Sequence, residues 1–560
     1  MVEMRSFVKI LLAIVPALLA AGTSTAQNIG NWSNGPEVKT HYGIVRGFSD
    51  KHQTWAWKGI PFASPPVGEL RWKAPVDPVP WEGVRKARKY GSPANQTVPV
   101  IGAVGSEDCL YLNIWRPKSG ETGLPVYFYI HGGGNSLGTS GVKDYDGALS
   151  SNHSNMIFVT ANYRLGVMGW LRHPAITGSG SEADQSGNFG TLDLIQALKW
   201  VKENIAAFGG DPNQVTIAGE SAGGINVLSL LISPTAKGLF HRAVSESGLT
   251  LLYKADESER ATNQLLKNLL VVDGLAEGEP DAAKRLAGMT PAEINEYLRG
   301  KSPGELMKNI STMDAGMAKW PTVLSDGYVI PKEGYQAIQS GRWANPVPLL
   351  IGVNKDEAAL FRYMAKDPKP GTRGYELLTE YQSLLWRIGG LDSIATLITA
   401  HPDAPPVYAY RFDWGAKDEQ GISVLPRNKG EVLGAHHYAE IPFFYGNGSS
   451  QLSVIVGRTF SSANRKGREK LTNLCMRFIG NFAHTGNPNG EGVPLWEPWK
   501  PLAGADKLII LDATRDNLRI SSSNETIHLE TLIHKAENEL SGEERTDMLR
   551  IVRNKMVMGK

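Results

Sequence analysis

The stretch QVTIAGESAGG, residues 214–224, restricts the possible folds more than any other part of this chain. Val215-Thr216-Ile217-Ala218 is short, apolar and β-branched, as a strand buried on both faces should be. Gly219-Glu220-Ser221-Ala222-Gly223 follows at once, and then come apolar residues at helical spacing: Ile225, Leu228, Leu231 and Ile232. A strand that runs straight into a helix needs a very sharp turn. Glycines on either side of Ser221 have no Cβ, so strand and helix can close on each other around it. Such a turn pushes the serine backbone into a sparsely populated conformation and its hydroxyl outward. The free N–H groups of the first helical turn then face whatever the hydroxyl meets. In an open α/β sheet this position, outside the carboxyl end of a strand, is where ligands sit. Read from the pentapeptide alone, a glycine-rich turn with an incidental serine is the alternative.

Other segments repeat the pattern. Pro125–Ile130, Met156–Ala161 and Pro348–Val353 read as covered strands, and helical runs such as TLDLIQALKWVKENIAAF lie between them. Strands alternating with helices predict an α/β fold with a mostly parallel sheet flanked by helices. Residues 256–319 are charged and helical in pattern, and are expected to form an insertion over the sheet. Residues 533–560, rich in Glu, Lys and Arg, are expected to form one helix packed on the body. The net charge of +2 carries no electrostatic footprint of a nucleic-acid partner. With two cysteines, Cys109 and Cys475, a disulfide framework does not hold the fold, and each reads as a buried free thiol.

The chain opens on a targeting pattern. Arg5 and Lys9 precede the apolar run Ile10–Ala21, which is too short to span a bilayer, and Ser24-Thr25-Ala26 offers a cleavage site. The reading is a secretory signal over residues 1–26, with 27–560 as the mature, secreted or periplasmic chain; an uncleaved anchor is the alternative. No later segment is long and apolar enough to be a membrane span. Six Asn-X-Ser/Thr sequons occur, among them Asn31, Asn95 and Asn524.

A serine hydroxyl is a poor nucleophile at neutral pH; it needs a base and a site that stabilises negative charge. YIHGGGNSLG, directly after the strand ending at Ile130, supplies a candidate for the second. Successive glycines let backbone amides turn toward one point, so Gly133, Gly134 and Ala222 are predicted to donate three N–H groups to an oxyanion. The loop lacks the Gly-Lys-Ser/Thr ending of a phosphate-binding P-loop.

At this point the chain resembles the type-B carboxylesterase/lipase family, the cholinesterase-like α/β-hydrolases. FGGDPNQVTIAGESAGG matches the family's nucleophile signature and EDCLYLNIWRP its second signature. GIPFASPPVGELRW, YIHGGG, NYRLGVMGWL and FAHTGNPN follow family blocks in the family's order. The resemblance runs from about Gly43 to Trp499. It implies a single α/β-hydrolase catalytic domain, with helical insertions over the carboxyl ends of the strands.

The resemblance also orders the triad as serine, acid, histidine. In PLLIGVNKDEAALF the family pattern N-K-D-E-G implies Glu357 as the acid, with Asp356 the competing carboxylate; Ala358 replaces the usual glycine. In LGAHHYAEIPFFYG the pattern H-x-x-E-I-P fits His437 and implies that His436 is a pocket neighbour. A metal site on His436, His437 and Glu440 is a further possibility, but no common zinc spacing matches. The family implies supporting roles for Glu220 and Ser247, and structural ion pairs Arg71–Glu107 and Arg164–Asp193. Two departures stand out. Asn135 replaces the aromatic that usually follows the triple glycine and is expected to make the pocket wall more polar, and Ala94 replaces the cysteine that normally bridges to Cys109. The expectation is a serine carboxylic-ester hydrolase with no cofactor or metal, whose partners are a small ester and water. A non-catalytic binding protein on the same fold is the alternative. Which ester is cleaved, and the oligomeric state, are not written in the sequence.

Overall fold

The computed structural model of the chain describes residues 32–99, 101–313, 316–430, 432–448 and 453–556. The expected signal segment lies outside the described residues. The strands predicted around the serine and its neighbours form one sheet of eleven strands. In chain order these are β1 (Phe48–Asp50), β2 (Thr54–Pro61), β3 (Tyr111–Pro117), β4 (Leu124–Ile130), β5 (Ile157–Ala161), β6 (Gly210–Glu220), β7 (Arg242–Glu246), β8 (Leu349–Asn354), β9 (Val407–Phe412), β10 (Leu508–Leu511) and β11 (Ser521–Ser523). Their spatial order is β11-β10-β9-β8-β7-β6-β4-β5-β3-β2-β1. The run from β10 to β5 is parallel throughout, and the antiparallel strands stand at the two margins. The sheet is therefore mostly parallel, as the alternation of strands and helices predicted.

Side chains alternate across the parallel strands, so successive residues feed two cores. Val126, Phe128 and Ile130 of β4 and Ile157, Val159 and Ala161 of β5 face one core. Tyr127, Tyr129 and Phe158 face the other. Helices α1 (Phe189–Asn204) and α2 (Ala222–Ile232) cover the first face through residues such as Leu194, Leu198, Val227 and Leu230. A third helix, Arg465–Thr485, covers the second through Leu471, Leu474 and Phe478. Both faces being covered explains why the strands read as continuous apolar runs.

The charged stretch after β7 forms four helices, Ala255–Val272, Glu279–Gly288, Pro291–Arg299 and Pro303–Lys308. The last two begin with capping boxes: Thr290 and Ser302 accept from the backbone N–H of Glu293 and Glu305, whose carboxylates reach back. Arg71 ties this region to the body. It pairs with Glu107 through two contacts of 2.6 Å and donates to the carbonyls of Arg299 and Lys301. Arg164 and Asp193 form the second family pair, fully buried.

At the C-terminus the expected single helix over 533–560 is two, Leu529–Glu539 and Gly542–Arg553. Leu540 turns extended and buries its side chain, and Gly542 takes φ +54°. Ending one helix to insert Leu540 lets both pack on helix Arg373–Arg387 through Leu532, Ala536, Ile551 and Val552. Charge composition cannot reveal that break. Cys109 and Cys475 are both free and buried. Among the described residues no helix is long and apolar enough to cross a membrane.

Candidate active site

In the sheet, β5 lies on one side of β4 and β6 on the other. That reversal opens a crevice at the carboxyl ends of β4 and β6, where an open α/β sheet takes its ligand. The glycine loop leaves β4 and the serine turn leaves β6, so the two meet there.

Ser221 has φ +59° and ψ −120°. A non-glycine residue in that region carries about 1–3 kcal/mol of strain, sustained here by close packing of the backbone around it. A Cβ on Gly219 would lie 2.7 Å from the carbonyl oxygen of Ile130 and 2.6 Å from the carbonyl carbon of Gly223. One on Gly223 would lie 2.1 Å from the same Ile130 oxygen. Only glycine fits at either place. The Ser221 N–H donates to the Glu246 carbonyl at 2.9 Å, which pins the turn to β7. Gly132 closes the crevice from β4: a Cβ there would sit 2.8 Å from Glu220 Oε2 and 3.1 Å from Ser221 Cβ.

The glycine loop turns back on itself, with the N–H groups of Ser136 and Leu137 both donating to the Gly133 carbonyl. Gly133 and Gly134 have φ +109° and +62°. Among the described residues their own N–H groups enter no hydrogen bond. Ala222 is the first residue of α2, so its N–H has no acceptor within the helix.

His437 Nδ1 donates to Glu357 Oε2 at 2.6 Å, and Glu357 Oε1 accepts from the Asn354 N–H at 2.8 Å. The neighbouring carboxylate points elsewhere. Asp356 Oδ2 accepts from the Ala435 N–H at 2.9 Å and so braces the loop that carries the histidine. His437 Nε2 lies 3.0 Å from Glu220 Oε1, close enough for an ion pair but out of hydrogen-bonding alignment. Glu220 and Ser221 are adjacent, so the imidazole stands at the serine turn. Among the described residues no hydrogen bond joins Ser221 Oγ to His437 in this conformation.

Burial by itself would lower the pKa of His437; the charges of Glu220 and Glu357 overcome it and hold the group well above its ordinary value. Burial raises Glu220, and the His437 charge opposes the rise. Glu440 is pushed up to about 8, by burial first and then by the carboxylates of Glu220 and Glu357. It accepts from Ser247 Oγ at 3.0 Å and from Asn354 Nδ2. Among the described residues the Ser247 hydroxyl thus hydrogen-bonds to Glu440 and to neither Ser221 nor His437.

Two other expected residues behave differently from the sequence reading. His436 is turned away: its Nδ1 meets the His437 carbonyl at 2.7 Å, and it borders a small cavity with Trp414, Pro442 and Phe460 that none of Ser221, Glu357 and His437 lines. Asn135 is 1% exposed, and its amide is occupied by Tyr163, Asn226 and Thr322. His436, His437 and Glu440 have separate partners and do not converge on one point. Sequence reading missed the aromatic cover of the His437 ring. Phe361 and Trp386 pack on the His437 ring with centroids 5.1 Å and 4.7 Å away. Phe361 could have been found, since it lies four residues beyond Glu357; Trp386 comes from a distant helix and leaves no local signal.

A family model described as the carboxylesterase family matches residues 34–384 and 377–525. The para-nitrobenzyl esterase of Bacillus subtilis (strain 168) is 34% identical over 487 residues, covering 81% of this chain and 91% of the relative. The chain belongs to the carboxylesterase family. The medium-chain fatty acyl-CoA hydrolase precursor of Anas platyrhynchos is 33% identical over 551 residues, with 86% and 90% of the two chains covered. A carboxylesterase structure from Geobacillus stearothermophilus aligns with TM-score 0.67 at 30% identity, over 87% of this chain and 98% of that one. A PNB esterase structure aligns with TM-score 0.68 at 29% identity, over 87% and 97%. This carboxylesterase-family chain therefore has the α/β-hydrolase fold and is an enzyme of the carboxylic-ester hydrolase class.

Proposed function

We propose that the protein hydrolyses carboxylic esters through an acyl-enzyme on Ser221, with His437 as base, Glu357 as the acid that orients it, and Gly133, Gly134 and Ala222 as the oxyanion donors. The observation that carries this reading is the imidazole of His437, fixed at Nδ1 by Glu357 and presenting Nε2 at the serine turn. A carboxylate on Nδ1 holds the tautomer whose Nε2 lone pair can take a proton, and it stabilises the imidazolium that results. The base works only when neutral. Nε2 turns from Glu220 to Ser221 Oγ and accepts its proton as Oγ bonds to the ester carbon. The carbonyl electrons move onto oxygen, facing the three N–H groups. Collapse breaks the bond to the alcohol oxygen, which leaves with the proton from His437. Water then repeats the sequence and releases the acid and free Ser221. Glu220 steadies the imidazolium between steps. An ester and water are all that this chemistry requires.

Short-chain and aryl esters are the substrates to test first. A fluorophosphonate probe should label the protein at Ser221, and Ser221→Ala should abolish both labelling and turnover of p-nitrophenyl esters. A native chain that neither reacts nor turns over would instead be a binder on this fold. We also infer a single catalytic domain over 27–560, exported by the N-terminal segment; mass spectrometry of the secreted protein should find Gln27 as its first residue.

A further inference from the structure

We propose that Asn135 and Asn226 are positioning residues that hold the two halves of the oxyanion site in register. The inference rests on the reading of Gly133, Gly134 and Ala222 as its donors. Those donors come from two separate elements, the loop after β4 and the first turn of α2. A donor set split between two elements works only if their spacing is held to a fraction of an ångström.

The buried amide pair bridges the two. Asn135 directly follows Gly134. Asn226 lies four residues after Ala222, on the same face of α2, and helical side chains lean toward the N-terminus. Asn226 Nδ2 donates to Asn135 Oδ1 at 2.9 Å, and a longer contact of 3.5 Å returns from Asn135 Nδ2 to Asn226 Oδ1. Tyr163 OH, which donates to the His131 carbonyl at 2.8 Å, also lies 3.1 Å from the same Asn135 oxygen, and Thr322 Oγ1 lies 3.4 Å from Asn135 Nδ2. The Asn135 carbonyl accepts from the Gly166 N–H at 2.7 Å. Both asparagines are buried, at 1% and 0% exposure. Among the described residues these amide contacts are the hydrogen bonds that join residues 131–137 to α2.

The residue type suits the place. Asn135 has φ +52°, a conformation asparagine tolerates better than most side chains. Its amide offers an acceptor and donors together, so one side chain can face Tyr163, Thr322 and Asn226 at once. An aromatic at 135 would make no such bond to α2. The polar residue there serves the loop and not the substrate.

The test compares Asn135→Ala, Asn226→Ala and the double variant. Asn226→Leu is added because it keeps the volume without the hydrogen bonds, in case the smaller side chain unfolds the protein. Active sites are counted with a fluorophosphonate, so that rates are per folded site. Readouts are kcat and KM for p-nitrophenyl acetate and Ki for an aryl trifluoromethyl ketone, whose adduct with Ser221 places an oxyanion in the hole. Each single variant should lose about 10- to 100-fold in kcat and a similar factor in ketone affinity, with KM changed less than about threefold. The double variant should be no worse than the poorer single, because the two act as one contact. Losses confined to KM, kcat within about threefold of the parent in all variants, or losses that multiply in the double would each overturn the proposal. If Ser221→Ala is inert while the asparagine variants stay fast, only this inference fails. If Ser221→Ala remains active, the reading beneath it fails instead.

Discussion

The two sides of the candidate site are built by different physics. On the serine side, Gly219, residues 221–223 and Gly132 are held by backbone packing. The space beside Gly219 and Gly223 is filled by carbonyl and backbone atoms, and Ser221 keeps its strained φ of +59° within that packing. On the acid–base side, the side chains of Glu220, Glu357, His437 and Glu440 come from three stretches of chain, Glu220 reaching over from the serine turn, and are held by charge and hydrogen bonds in a buried setting. Steric walls place the first set and electrostatics the second. Volume changes should therefore damage one side, and charge and pH the other.

The largest test of that contrast is Ser221→Ala. It should lower kcat by about 10⁶-fold, as removal of the nucleophile does in serine hydrolases, while leaving the unfolding midpoint nearly unchanged; a large loss of stability would show that the hydroxyl also holds the turn. Glu357→Gln should lower kcat by up to about 10⁴-fold by spoiling the tautomer. Asp356→Asn should stay within about tenfold of the parent, because Asp356 meets the Ala435 N–H instead of the imidazole. Steady-state kinetics that reversed this order would move the acid to Asp356. Gly223→Ala puts a Cβ 2.1 Å from the Ile130 oxygen. It should destabilise the fold by about 1–3 kcal/mol or more, read by denaturant unfolding, without shifting the pH profile of whatever activity survives. The smallest effect sharpens the electrostatic side. The charge of Glu220 helps raise the pKa of His437 against burial, and a protonated imidazole cannot accept a proton. Activity should therefore fall as pH drops, beginning above the ordinary histidine range. Glu220→Gln should move that limb of the kcat/KM profile to lower pH. A limb that stayed put, or moved up, would remove Glu220 from the electrostatics of the base.

Much of this is legible in the sequence. The strands at 125–130, 156–161, 215–218 and 348–353 were visible because a strand covered on both faces must be apolar throughout. The serine turn was visible because a strand–helix corner that tight tolerates only glycine at its flanks. The acid–base side was legible as candidates and not as a choice. Asp356 and Glu357 are chemically alike, and adjacent side chains on a loop point different ways. His436 and His437 pose the same problem. Asn135 misled for a related reason: a polar residue after the triple glycine looks like a pocket wall until Asn226 and Tyr163 are seen behind it. The break at Leu540 was hidden because it depends on a hydrophobic gap offered by another helix.

By itself, the sequence determined the α/β plan, the position of the serine turn and the location of the glycine loop, because periodicity and glycine sterics act over a few neighbouring residues. Tertiary structure alone decided that Glu357 and not Asp356 reaches the imidazole, that Nε2 stands beside Glu220, and that Asn135 faces α2. Each of those outcomes depends on where distant segments lie in space, and a hydrogen bond is made or missed over less than an ångström.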